Sequence, residues 1–243
     1  MIRKSQTELI VALDHSRGDQ AFSLIEKLDG LPTIFKVGFE LFLSAGPDFI
    51  RELVHRKCRV FLDLKFHDIP NTVAAAARQA AALQVEMFTL HLAGGSQMVK
   101  AVRNQLAEIP NLRPKVLGVS VLTSFDDVRW AEVTRALTQH AVTPHESVSG
   151  LVEEGYHWGV DGVVCSALEL EEVKRLAPGL LTVVPGIRPS NPRQVIPGDD
   201  QSRVWTPQEA YRAGASAIVV GRPITQSADP RGTAESILKE LVG

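Results

Sequence analysis

The chain has 243 residues, 44% hydrophobic and 22% charged, the balance of an ordinary globular protein. With 26 basic against 28 acidic residues the net charge is −2, so no overall field draws in nucleic acid or a membrane surface, and any taste for anions must come from a local cluster. The two cysteines, Cys58 and Cys165, form no CxxC pair, no apolar run approaches the roughly 20 residues of a membrane span, and the run near the N-terminus is too short for a signal peptide, so a cytoplasmic protein with two free thiols is expected.

Short apolar runs alternate with amphipathic stretches along the whole chain. The pattern predicts a strand at 9–13 and a helix at about 19–28, then a strand at 34–37 and a helix at about 47–57. A strand at 59–64 precedes an alanine-rich helix at 71–83, with Pro70 suited to a helix start. A strand at 87–92 and a helix at 96–107 follow. The strand at 116–122 leads into a longer connection with helical material at about 125–135 and 144–158. Then come a strand at 162–166, a helix at 168–176, a strand at 180–184, and a loop rich in Pro, Asn, Gly and Asp at 185–201. Thr206 and Pro207 cap and open a helix at 206–213. The last strand is at 217–221 and the last helix at 230–241. Eight strands, each followed by helix, imply parallel pairing, and eight such units in this length favour a closed (β/α)8 barrel, a single domain over residues 1–243.

Chemistry in such barrels collects at the C-terminal ends of the strands. Here those ends carry Asp14, Lys36, the run from Asp63 to Asp68, His91, Thr123 with Ser124, Ser166, Arg188 and Arg222. Strand side chains alternate faces, so Asp63 and Lys65 point the same way. Buried charges need opposite partners, and Lys36 and Asp68 can supply them, giving an alternating set Lys36, Asp63, Lys65, Asp68. Such a set can handle anionic charge and deliver a proton. Phosphate often sits after strands seven and eight of a barrel. Arg188 and Arg222 stand there beside Gly186 and Gly221, and an arginine fork matches phosphate oxygens. The histidines form no HxxxH pair and no metal is expected. With no GxGxxG and no GxxxxGK[ST], dinucleotide and ATP cradles have no support, and the three tryptophans do not interleave with basic runs as they would on a nucleic-acid surface.

The run DLKFHDIPNTV at 63–73 closely resembles the signature of the orotidine 5'-monophosphate decarboxylase family. VALD (11–14), KVGFELF (36–42), VLTS (121–124), DGVVCSA (161–167), PGIRP (185–189) and VVGRPITQSADP (219–230) extend the resemblance in the family's order. It implies conversion of orotidine monophosphate (OMP) to UMP and CO2 in pyrimidine biosynthesis, without cofactor or metal, by a homodimer. By the same resemblance Lys65 protonates C6 of the pyrimidine and Asp63 sits close to the substrate carboxylate. Asp14 and Lys36 hold the ribose region and the charge network. Asp68, Ile69 and Thr72 reach into the partner subunit's site. Thr123 addresses the pyrimidine amide edge, and Arg188, Gln201, Gly221 and Arg222 hold the phosphate. The alternative is a metal-dependent sugar-phosphate decarboxylase or hexulose-phosphate synthase of the same barrel superfamily. Those enzymes present a carboxylate to Mg2+ from the second strand, where this chain has Lys36.

Overall fold

A computed structural model describes residues 7–109, 111, 113–189 and 205–242. Eight parallel strands close into a barrel in sequence order, with β8 bonded back to β1. The strands are β1 (Glu8–Ala12), β2 (Thr33–Val37), β3 (Arg59–Phe66), β4 (Met87–His91), β5 (Lys115–Val119), β6 (Gly162–Val164), β7 (Leu181–Val184) and β8 (Ala217–Val220). Between them run α1 (Gly18–Lys27), α2 (Phe39–His55), α3 (Pro70–Ala82), α4 (Gly95–Ala107), α5 (Asp127–Thr138), α6 (Pro144–Trp158), α7 (Leu170–Leu176) and α8 (Pro207–Arg212). The short α9 (Arg222–Thr225) and α10 (Pro230–Glu240) complete the ring.

The period of two along each strand divides the apolar residues between two cores. Outward positions such as Leu9, Val11, Phe35, Val60, Leu62, Phe88 and Leu90 pack under the helices. Inward positions Ile10, Ile34, Phe61, Met87, Leu117, Val183 and Ala217 form a separate cluster that fills the barrel. That plug is a floor: side chains further along the same strands stand above it, at the C-terminal mouth. Below it, at the opposite end, Arg59 donates to Glu8 at 2.6 Å and takes both oxygens of Glu86 at 2.6 Å each, tying β1 to β3 and to the start of β4.

Helix starts follow their local chemistry. Thr143 and Thr206 each accept from the amide three residues on, at 3.2 Å, while Glu146 and Glu209 reach back to the threonine amides, closing a capping box at α6 and at α8. In α2 the helical path begins at Phe39, eight residues before the expected start. Gly46, at φ 70°, breaks it ahead of Pro47, so the expected helix was the second of two joined pieces. β5 stops at Val119 and β6 at Val164, short of the expected ends. Val121 and Leu122 are apolar because they wall a cavity, not because they extend a strand. The helix at 222–225 was not anticipated.

Candidate active site

The mouth of the barrel opens into a cavity of about 590 Å³, within the range of about 300–1,000 Å³ usual for small-molecule sites. Ala12, Phe61, Val119, Val164, Val183 and Val219 give it an apolar floor and wall, and Asp14, Lys36, Asp63, Lys65, Thr123, Arg188, Gly221 and Arg222 bring polar groups to it. The alternating charges come from the ends of β1 to β3 and the two arginines from the ends of β7 and β8, which adjoin β1 round the closed barrel.

On the first side the charges alternate in sign. Lys65 Nζ lies 2.9 Å from Asp63 Oδ1 and 3.0 Å from Oδ2. Lys36 Nζ lies 3.5 Å from Asp63 Oδ2 and 3.7 Å from Asp14 Oδ1. The central carboxylate and Lys36 are nearly buried, with side chains 12% and 13% exposed, and Asp14 is open to solvent. Burial pushes the Asp63 carboxyl up, but the charges of Lys36 and Lys65, with hydrogen bonds from Lys65 and Thr89, outweigh it and hold the group below the usual carboxylate range. Phe39 lies beneath the outer cation, its ring centroid 5.9 Å from Lys65 Nζ.

Within one chain the fourth member of the alternating set is Asp14 and not Asp68. Asp68 is exposed and accepts from the Ile69 amide at 2.6 Å, and among the described residues it makes no ion pair. Its position three residues past Lys65, at the turn into α3, carries it away from its own cavity. Ile69 and Thr72 share that exposed turn and do not line the cavity either. Gln201 lies outside the described residues.

After β7, Gly186 has φ 78°, a left-handed turn that glycine adopts at little cost, and it brings the chain over the cavity towards Arg188. Arg188 is fixed at its backbone, where its amide donates to Trp205 at 2.9 Å. Gly221 brings the end of β8 against the end of β1: a Cβ there would stand 3.0 Å from Asp14 Oδ2. Arg222 opens α9 immediately beyond. His67 and His91 stack beside the charged end with ring centroids 5.3 Å apart, and burial, reinforced by the charges of His67 and Lys65, pushes the His91 imidazole down.

Two features of the site had little sequence signal. Gln226, at the end of α9, lines the wall. Thr89 is completely buried on the inner face of β4, a lone hydroxyl in an otherwise apolar run, and it touches both Asp63 and the Lys65 backbone. A β-branched residue in a strand is so common that the residue type alone says nothing of this.

A closed parallel barrel with convergent, alternating charge and two arginines lining the cavity at its C-terminal mouth defines a (β/α)8-barrel enzyme. The chain belongs to the orotidine 5'-phosphate decarboxylase / HUMPS family, whose model matches residues 7–237. It is 45% identical over 236 residues to an orotidine 5'-phosphate decarboxylase of Legionella pneumophila (strain Corby), covering 96% of this chain and 99% of that one. It is 42% identical over 238 residues to one from Pseudomonas putida (strain GB-1), covering 98% of each. The crystal structure of orotidine 5'-phosphate decarboxylase from Lactobacillus acidophilus superposes with a TM-score of 0.83 at 38% identity, over 98% of this chain and all of that one.

Proposed function

We propose that the chain decarboxylates OMP to UMP in pyrimidine biosynthesis, using neither metal nor cofactor. The observation that carries this reading is the Lys65 ammonium held on Asp63 above an apolar floor. When the bond between C6 and the carboxylate breaks, CO2 leaves and its bonding electron pair stays on C6. A cation already fixed at that point stabilises the charge with little reorganisation. Lys65 then passes a proton to C6, giving UMP, and recovers one from solvent. Asp63 keeps the ammonium in place and crowds the reactant carboxylate.

The arginines fit the other end of the nucleotide. Arg188 and Arg222, with Gly221 and with Gln201 from the segment before β8, would hold the phosphate, Thr123 the pyrimidine amide edge, and Asp14 and Lys36 the ribose. Phosphate binding far from C6 supplies energy that can be spent on orienting the reacting end. The rival metal-dependent reading needs a carboxylate from the end of β2, where this chain instead has the cation Lys36, 3.5 Å from Asp63.

The working unit in this reading is a cytoplasmic homodimer. Asp68, Ile69 and Thr72 face away from their own cavity, and Phe39, Leu43 and Ile69 leave large apolar side chains exposed next to the charged end of the mouth. A second copy would cover that surface and receive Asp68 beside its own Lys65. The direct test is the loss of OMP ultraviolet absorbance on adding protein, with and without EDTA. Decay unchanged by EDTA is expected. No decay from folded protein would overturn the proposal and favour sugar phosphates with added Mg2+.

A further inference from the structure

We propose that Thr89 is a positioning residue that sets the geometry of both Lys65 and Asp63, an inference that rests on the decarboxylase reading of the same site. It begins in the register of β3 against β4. Phe61 pairs with Met87 and Leu62 with Phe88, but the next pair is Phe66 with Leu90. Asp63, Leu64 and Lys65 therefore stand opposite Thr89 alone, three residues against one. β3 must bulge there, and it does so at the two residues that carry the charge network.

The bulge has a local cost. Lys65 takes φ 42°, a left-handed conformation disfavoured for any residue with a side chain. Its amide donates to a side chain, the Thr89 hydroxyl, and an amide donor left without a partner in a partly buried strand is costly. Strain of this kind persists only where the surroundings over-determine it. Thr89 supplies that constraint with one oxygen: its Oγ1 accepts from the Lys65 amide at 2.9 Å and donates to Asp63 Oδ1 at 2.9 Å.

The direction of the two bonds is forced. A backbone amide can only donate, so the hydroxyl proton is left for the carboxylate. The same Asp63 Oδ1 receives Lys65 Nζ at 2.9 Å. The strut thus closes a loop: Thr89 holds the Lys65 backbone, the Lys65 side chain curls back to Asp63, and Asp63 is held by Thr89. Thr89 is fully buried, so no bulk water replaces the hydroxyl if it is removed. Without it, β3 can relax out of the left-handed kink, and the ammonium shifts relative to the point where C6 must sit.

Three substitutions isolate the hydroxyl. Thr89→Val keeps the shape and removes the oxygen, Thr89→Ser keeps the oxygen and removes the methyl, and Thr89→Ala removes both. Thr89→Val is expected to lower kcat by about 10–100-fold with KM for OMP and affinity for UMP within about threefold of wild type, because binding survives while the reacting geometry does not. Thr89→Ser should restore kcat to within about fivefold of wild type. Amide exchange across residues 63–66 should quicken in Thr89→Val and Thr89→Ala but not in Thr89→Ser, a readout independent of turnover. If Thr89→Val fails to fold, the Ala–Ser pair decides. A hydroxyl-free variant with kcat within about twofold of Thr89→Ser overturns the proposal. A wild-type chain inactive on OMP would bring down the decarboxylase reading itself, a result distinct from any difference among these variants.

Discussion

Lys65 and Asp63 meet two-pronged, the ammonium 2.9 Å from one carboxylate oxygen and 3.0 Å from the other, while Lys36 approaches the second oxygen at 3.5 Å. Asp63 is thus one anion between two cations, and removing its charge leaves the cations facing each other. Asp63→Asn keeps the shape and is expected to lower kcat/KM for OMP by at least about 100-fold, as Lys65, the proposed proton donor, loses the charge that orients it. Steady-state kinetics beside a melting curve separates this from unfolding.

The same carboxylate makes stability depend on pH in a defined direction. Its folded pKa lies below the ordinary value. Its contribution is therefore fully present above the unfolded pKa, about 3.9, and is lost as pH falls through the depressed folded value. Wild type should melt higher than Asp63→Asn at pH 7, and the gap should narrow below about pH 4. Thermal melts from pH 3 to 8 check this. A gap constant across that range would mean the carboxylate is not the stabilising species.

The exposed turn carrying Asp68 yields a mixing experiment. Lys65→Ala and Asp68→Ala should each be nearly inactive alone. In a homodimer that shares residues across its twofold axis, a mixed dimer rebuilds one intact site and leaves the other doubly damaged. Co-refolding equal amounts should recover roughly a quarter of wild-type activity, half the dimers being mixed and half their sites whole. No recovery, with mixed dimers demonstrated by mass, would confine each site to one chain.

The barrel and the side-by-side placing of Asp63 and Lys65 at its mouth were legible because both depend on simple periods. Alternating apolar runs gave eight strands near their observed places, and the same two-residue period put Asp63 and Lys65 on one side. Yet the side-chain contact is reached across a bulge that no period reveals. The alternation rule led to the right neighbours while missing the left-handed turn at Lys65 and the threonine that holds it. Asp68 was misjudged as an internal partner of Lys65 because distance along the chain is a poor guide once a strand has ended. The fourth charge is Asp14, just past β1, and it joins at the opposite end of the network, beside Lys36, because β1 and β2 are neighbours in the barrel.

At the other end of the barrel, Arg59 should matter for stability and not for chemistry. Its guanidinium bridges Glu8 and Glu86, and Lys115 adds a contact to Glu86 at 3.5 Å. Burial pushes the Glu86 carboxyl up, but the bonds and charge from Arg59, with Lys115, bring it below the usual range. Arg59→Met leaves two half-buried carboxylates facing each other and should cost about 1–2 kcal/mol, less than a fully buried pair because solvent reaches the guanidinium. Chemical denaturation should show the loss at pH 7 and a smaller one once Glu86 is protonated in acid, with kcat unchanged.

The left-handed Lys65 makes the site a place where function opposes stability. Lys65→Ala and Lys65→Gly both remove the ammonium proposed as proton donor and should both abolish turnover. They differ in the backbone: alanine must still hold the disfavoured φ of 42°, whereas glycine adopts it freely. Left-handed geometry costs a residue with a Cβ about 1–2 kcal/mol, and glycine's extra freedom in the unfolded chain returns about 0.5–1. Lys65→Gly should therefore be more stable than Lys65→Ala by about 0.5–1 kcal/mol, the reverse of their order at an ordinary strand position. Denaturant melts of the two dead variants test this directly. If alanine proved the more stable, the kink at Lys65 would carry no strain, and Thr89 would have nothing to hold in place beyond the side chain of Asp63.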